Sequence, residues 1–155
     1  KFGFEAFCQK CVECGIDGVI IPDLPFKDYE ETYKPIADRY DLRVIMLITP
    51  ETSEARVREI DEHTDGFIYM VSSAATTGAQ KDFDNQKQAY FKKIQDMHLR
   101  NPRMVGFGIS NKQTFDAACA NSSGAIIGSR FVTLLNEAEG DAEKAITQLK
   151  ENVGR

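Results

Sequence analysis

Five short apolar runs alternate with longer segments of helical periodicity, and this alternation restricts the possible folds of the 155-residue chain more than any other feature. The runs are 17–22 (DGVIIP), 42–48 (LRVIMLI), 66–71 (GFIYMV), 103–106 (RMVG) and 124–127 (GAII). Each has strand length and a largely unbroken apolar character, so each is predicted to be a strand covered on both faces. The segments between them carry apolar residues at three- and four-residue spacing, the mark of one helix face. Residues 3–14 place Phe4, Phe7, Cys8, Cys11 and Val12 on such a face. Residues 28–40 do the same with Tyr29, Tyr33, Ile36, Ala37 and Tyr40, and 86–99 with Tyr90, Phe91, Ile94 and Met97. A last helix carries Ala145, Ile146 and Leu149.

Start signals accompany several of these helices. Asp28 with Glu31 fits a capping pair, and Thr52 or Ser53 can cap a helix that runs to His63. Residues 110–113 (SNKQ) read as a capping box for a helix ending near Asn121, Gly128-Ser129-Arg130 leads into another, and Asp141 caps the last. Pro35 removes one backbone donor inside the second helix and is expected to bend it. The order is therefore a helix, five βα units and a final helix. It calls for a parallel sheet with helices on its faces. An open doubly wound sheet and a (β/α)8 barrel both have this order. A whole barrel takes eight strands and typically about 250 residues, so five strands in 155 residues supply only part of one. No linker or low-complexity stretch divides the chain, and 1–155 is read as a single domain.

With 42% hydrophobic and 28% charged residues, the composition is that of a globular protein with a core. The net charge of −5 argues against a nucleic-acid partner, which calls for a basic face. It does not argue against a phosphate ester, because backbone N–H groups hold phosphate without any cation. No run is long enough to cross a bilayer, and no secretory leader pattern is present. The first residues, from Lys1, read as a helix in progress, so the chain is expected to be a portion of a longer protein. Cys8, Cys11 and Cys14 form C-x-x-C-x-x-C, which on paper resembles a metal-ligand run. On a helix the three thiols spread around the axis and no fourth ligand lies nearby. They are assigned to packing, and no metal is expected. Reduced thiols suit the cytoplasm.

In parallel α/β folds the working groups lie beyond the C-terminal ends of the strands. The candidates are then Asp23-Leu24-Pro25, Thr49-Pro50, Tyr69 with 72–78, 106–110 (GFGIS) and Gly128-Ser129. The last two sites place glycine at consecutive strand ends just before a helix. There the backbone can approach a ligand closely, and the helix start supplies free N–H groups. Phosphate binding is the expectation. Asp23 is either a general base or the residue that orders the DLP turn, and the turn role is favoured. Tyr69 faces either the sheet interior, with its hydroxyl toward a ligand, or the covering helices. His63 and His98 fall on helices without a nucleophile arranged beside them, and are read as surface or satisfied residues.

In their order and spacing, GVIIPDLPF, GFIYMVSSAATTGA, VGFGIS and GAIIGSRFV resemble the alpha subunit of tryptophan synthase along nearly the whole chain. The resemblance implies a TIM (β/α)8 barrel of which this chain supplies strands four to eight, and a retro-aldol cleavage of indole-3-glycerol phosphate to indole and glyceraldehyde 3-phosphate. It implies that Gly78, Gly108, Gly128 and Ser129 hold the substrate phosphate. Phe107 and Ile126 line the pocket with Ile20 as a further wall, and Tyr69 stands near the catalytic carboxylate. Thr77 lies on the loop that closes over substrate, and Asp23 and Pro25 on the face that docks a beta subunit. Pyridoxal phosphate belongs to that beta partner and not to this chain.

Three departures stand against the pattern. Ser73 and Ala75 replace a basic or otherwise distinct residue and a glycine in the loop, and Arg130 follows Gly128-Ser129 where a small residue is common. The family's catalytic Glu and Asp lie on strands two and three, ahead of Lys1, so the piece alone is expected to be inactive. A five-stranded piece also leaves two sheet edges unpaired, which favours self-association. The alternatives are another phosphate-binding barrel enzyme, or a non-catalytic half-barrel that binds a phosphate or a partner.

Overall fold

In the computed structural model, the backbone of residues 2–71, 80–106 and 108–155 is described, with side chains for all of these but 80–85. The chain opens with α1 (Phe4–Glu13), followed by β1 (Gly18–Ile20), α2 (Phe26–Asp28), a π-helical turn (Tyr29–Tyr33) and α3 (Lys34–Arg39). Next come β2 (Arg43–Ile45), β3 (Leu47–Ile48), α4 (Glu54–His63), β4 (Ile68–Val71) and α5 (Gln80–Asp96). The rest is β5 (Arg103–Gly106), α6 (Lys112–Cys119), β6 (Gly124–Ala125), α7 (Ser129–Glu137) and α8 (Ala142–Asn152). The expected alternation is present. The expected second strand is divided at Met46 into β2 and β3. Among the described residues no helix is long and apolar enough to cross a membrane.

Two compact units divide these elements, one of Lys1–Tyr69 with Leu99–Pro102 and the other of Met70–His98 with Arg103–Arg155. In the first, β1 and β2 pair in parallel with Gly18 opposite Arg43 and Ile20 opposite Ile45. The Tyr69 N–H donates to Met46 O at 3.0 Å, and the Ile68 N–H to Pro102 O at 2.9 Å. In the second, β5 and β6 are parallel with Met104 opposite Gly124 and Val105 opposite Ala125. Neighbours that run parallel cannot be joined by a tight turn, and each connection carries a covering helix.

Helix faces follow the sequence pattern closely. Tyr90, Phe91, Ile94 and Met97 are all buried. Cys8 and Cys11 pack with Leu42, Phe4, Phe7 and Ile36, as small apolar groups do. Val12 and Ile146 were placed on apolar faces by spacing, yet they stand exposed at 50% and 43%. Each lies at the margin of its stripe, where helical drift carries a side chain out of the contact.

The second helix differs more from expectation. It begins at Phe26 behind Pro25, so Asp28 lies inside it and caps nothing. Pro35 neither breaks nor ends it. Lys34 N–H reaches back five residues to Tyr29 O, and the widened turn absorbs the donor that proline lacks. The capping box of α6 sits one residue later than expected. Asn111 accepts from Thr114 N–H at 2.9 Å while the Thr114 hydroxyl takes the Asn111 N–H at 3.2 Å. Of the two candidates Thr52 and Ser53 it is Ser53 that caps α4, and Asp141 caps α8 as anticipated. Gly66 stands just outside β4 because its φ of +106° is foreign to a strand, and a Cβ there would meet Ile45 Cδ1 at 2.9 Å.

A buried carboxylate fixes the entry to β5. Asp61 on α4 is 7% exposed. It accepts from Arg100 N–H at 2.7 Å, Asn101 N–H at 2.8 Å and Asn101 Nδ2 at 3.0 Å. The Asn101 amide and the Arg100 guanidinium also donate to Asp61 O and Thr64 O. Carbonyls at a helix C-terminus lack partners within the helix, and a cation there complements the helix dipole. Asp61→Ala leaves the Arg100 and Asn101 backbone N–H groups without their acceptor, while the Asn101 amide keeps Asp61 O and Thr64 O. It is expected to lower the unfolding free energy by about 3 kcal/mol in urea titrations. A loss under about 1 kcal/mol contradicts the assignment.

Tyr29 is 3% exposed, and its phenol is pushed up to about 12 by burial first and then by the negative charges of Asp38 and Asp65. The folded form therefore binds the phenolic proton more tightly than the unfolded chain does. That stabilisation is complete below pH ~10 and is lost as pH rises toward ~12. Wild-type stability is expected to fall by about 2 kcal/mol more than that of Tyr29→Phe across this window. Equal slopes for the two proteins count against the burial effect.

Candidate functional site at the strand ends

In the second unit, the ends of β5 and β6 carry four of the expected residues. Ser123 N–H donates to Arg103 O at 2.8 Å, and Ile126 N–H to Val105 O at 2.8 Å, so the ladder extends just past β6. Ile126 and Ile127 follow β6 half-buried, and Gly128 and Ser129 come after them, both exposed. After β5, Gly108 is exposed with φ +75°, a conformation that favours glycine. Phe107, Thr77 and Gly78 lie outside the described residues, as do Ser73 and Ala75.

The helix starts differ in what occupies their N–H groups. Helices α4, α6 and α8 begin on side-chain caps from Ser53, Asn111 and Asp141. Helix α7 begins on Gly128 with no side-chain cap. The first N–H groups of any helix have no partner within it, and at α7 no cap takes their place. Among the described residues, a Cβ on Gly128 would meet nothing within 4 Å. Arg130 runs the other way. Its Nη1 lies 3.6 Å from Glu137 two turns along α7, so its charge is spent along the helix.

The first unit holds the other described candidates. Ile20 ends β1 and is 43% exposed. Asp23 is exposed in a turn closed by the backbone, with Leu24 N–H donating to Ile21 O at 3.1 Å. Pro25 is exposed and stands as the N-cap of α2. Tyr69 is half-buried on β4, and burial pushes its phenol up, so it stays protonated at neutral pH. His63 Nδ1 pairs with Glu30 and its ring lies 6.3 Å from Phe26, whereas His98 is exposed beyond α5. Among the described residues, no group of three or more His, Cys, Asp or Glu could hold a metal ion. Arg56, over the Phe26 ring at 5.1 Å, had no sequence signal, because the two residues are thirty positions apart.

Parallel βα units with a helix between paired strands define an α/β protein of the barrel class. A family model described as tryptophan synthase alpha chain matches residues 1–155. The chain belongs to the tryptophan synthase alpha chain family. It is 79% identical over 150 residues to the tryptophan synthase alpha chain of Bacteroides fragilis, covering 97% of this chain and 57% of that one. Among solved structures, it superposes on the alpha subunit from Campylobacter jejuni with a TM-score of 0.79 at 28% identity, over 97% of this chain and 59% of the other. A structure of the tryptophan synthase α2β2 complex from Pyrococcus furiosus matches at a TM-score of 0.81 and 26% identity, over 97% and 60%. The fold is thus a portion of a (β/α)8 barrel, and the chain spans little more than half the length of these relatives.

The glycines separate strain from approach. Gly108→Ala is expected to cost about 1 kcal/mol through its positive φ alone. Gly128→Ala, at φ −98° in open space, is expected to leave stability within about 0.5 kcal/mol of wild type. Thermal unfolding of both variants checks this, and the reverse order overturns it.

Proposed function

We propose that this chain is the C-terminal portion of an alpha subunit that cleaves indole-3-glycerol phosphate to indole and glyceraldehyde 3-phosphate, a step of tryptophan biosynthesis. The observation that carries the reading is the family match over residues 1–155. The uncapped start of α7 supports the location of the phosphate site. Backbone N–H groups at Gly108, Gly128 and Ser129, joined by Gly78, hold the phosphate dianion without a cation. Ile126 and Phe107, with Ile20, make the apolar wall against the indole, and Thr77 belongs to the loop over the substrate. Tyr69 stays neutral and stands by the carboxylate that moves the proton.

The carbon–carbon cleavage needs a general acid and a general base at the reacting carbons. The reading assigns them to a Glu and an Asp in the barrel's first strands. This chain binds and orients, and no cofactor is assigned to it. Asp23 and Pro25 face a beta subunit, whose pyridoxal phosphate carries the following step. The cytoplasm is the expected compartment.

The test is indole release from indole-3-glycerol phosphate by the full-length subunit and by the 155-residue chain. Indole is expected from the first and none from the second. In the full-length subunit, Gly128→Asp combined with Ser129→Ala, which sets a carboxylate at the N–H groups that would take the phosphate, is expected to raise KM about tenfold with kcat nearly unchanged, because phosphate contacts bind ground and transition states alike. No indole from the full-length protein at saturating substrate sinks the lyase reading. An unchanged KM in the double variant sinks the phosphate assignment alone.

A further inference from the structure

At the C-terminal ends of β1 and β3, wholly within the first unit, lies a cleft of about 310 Å³ that the proposed lyase site does not use. Its apolar lining includes Leu24, Phe26, Met46, Leu47 and Ile60. Phe26, Met46 and Ile60 are themselves buried, so this part of the lining is fixed by the core. Pro22 and Pro25 line it as well, and proline offers no N–H donor.

Two charged side chains line this space, Lys27 and Arg56, and both are cations. Among the described residues no carboxylate lines it, in a chain whose net charge is −5. Arg56 is held in place from two sides. Its guanidinium lies 5.1 Å from the centre of the Phe26 ring, and Nη1 pairs with Glu59 at 2.8 Å. A guanidinium fork carries five N–H donors, so the Glu59 pair leaves donors for a planar acceptor. Lys27 is more exposed and pairs loosely with Glu31 at 3.8 Å. The Thr52 hydroxyl accepts from Thr49 N–H at 2.9 Å and closes the far side of the loop.

We infer that this cleft binds a small free carboxylate with an apolar, ring-sized body. The ring would rest on Phe26, Met46 and Leu47, and the carboxylate would lie against Arg56 with Lys27 at the rim. The volume falls at the lower end of small-molecule sites, which are mostly apolar with a few placed polar groups. Arginine stacked on an aromatic ring is suited to planar carboxylate recognition in a way that lysine is not. The inference does not depend on the proposed cleavage, because every residue it uses lies outside the residues assigned to that reaction, except Pro25 of the partner face.

The experiment is a titration of the full-length subunit with phenylacetate, followed through backbone amides by NMR. Saturable shifts are expected at Leu24, Lys27, Met46, Leu47 and Thr52. Phenylacetamide has nearly the same shape without the charge, and is expected to bind about tenfold more weakly. Arg56→Gln is expected to bring phenylacetate down to the affinity of the amide while leaving the amide unchanged. Lys27→Gln, on the rim, is expected to weaken binding less than threefold. Equal binding of acid and amide overturns the inference, as do wild-type affinity in Arg56→Gln and shifts confined to other regions. It is overturned too if phenylacetate moves none of these amides while an acetylated Leu-Glu peptide does, since the cleft is then a docking groove for a protein segment.

Discussion

The carboxylate of Asp61 is the buried charge on which the return of the chain toward β5 depends. A charge removed from water is costly unless hydrogen bonds replace its hydration. Here the replacement comes from two consecutive backbone N–H groups and a side-chain amide. The exchange runs both ways. Asp61 supplies the acceptors that Arg100 and Asn101 need, and those residues supply the donors that the last carbonyls of α4 need. Each side would be left with unmet polar groups if the other moved. Pro102 follows at once, and its carbonyl receives Ile68 N–H beside β4. A segment of four residues is thereby tied to a helix end and to a strand.

The helix starts show a second economy. Three helices use a side chain to occupy one of their first N–H groups, whereas α1 and α7 begin on glycine without one. The start of α7 forgoes that stabilisation, about 1 kcal/mol for an ordinary cap. Glycine in the N-cap position keeps the approach free of a side chain, and Arg130 turns along the helix to Glu137. The open helix start and the open glycine after β5 thus stand at the ends of paired parallel strands. The expected phosphate affinity rests on backbone geometry, in keeping with a net-negative chain.

Much of this was legible in the sequence, and the reasons differ from residue to residue. The βα alternation was legible because parallel strands must be apolar on both faces and their crossovers must be amphipathic. The inward face of α5 was legible for the same reason, and Tyr90, Phe91, Ile94 and Met97 are all buried. Helix starts were legible where one side chain has one natural role, as at Asp141, and at α4 they were narrowed to Thr52 or Ser53. Asp28 misled because a proline three positions earlier starts the helix sooner. The π turn ahead of Pro35 was not legible, because no local pattern announces it. The Asp61 network was invisible because Asn101 is forty residues away and only the folded chain brings them together. Among the candidate site residues, glycine position was readable from strand ends and helix starts. The role of Ile20, which depends on a substrate, came only through the family resemblance, while Tyr69 was already a strand-end candidate that the resemblance set beside a carboxylate.

Under the proposed reading, the division between holding and cleaving has an energetic consequence. Phosphate contacts lie far from the bond that breaks and change little between substrate and transition state. Binding of that kind lowers KM but leaves the chemical barrier untouched unless it positions the reacting carbons against an acid and a base. The groups at Gly108, Gly128 and Ser129 gain catalytic meaning only beside carboxylates that this chain does not contribute. The same separation explains why the motifs of this portion can be strongly family-specific and still specify no reaction by themselves. A phosphate cradle is shared by many barrel chemistries, and the choice among them is made by the titratable groups placed opposite it.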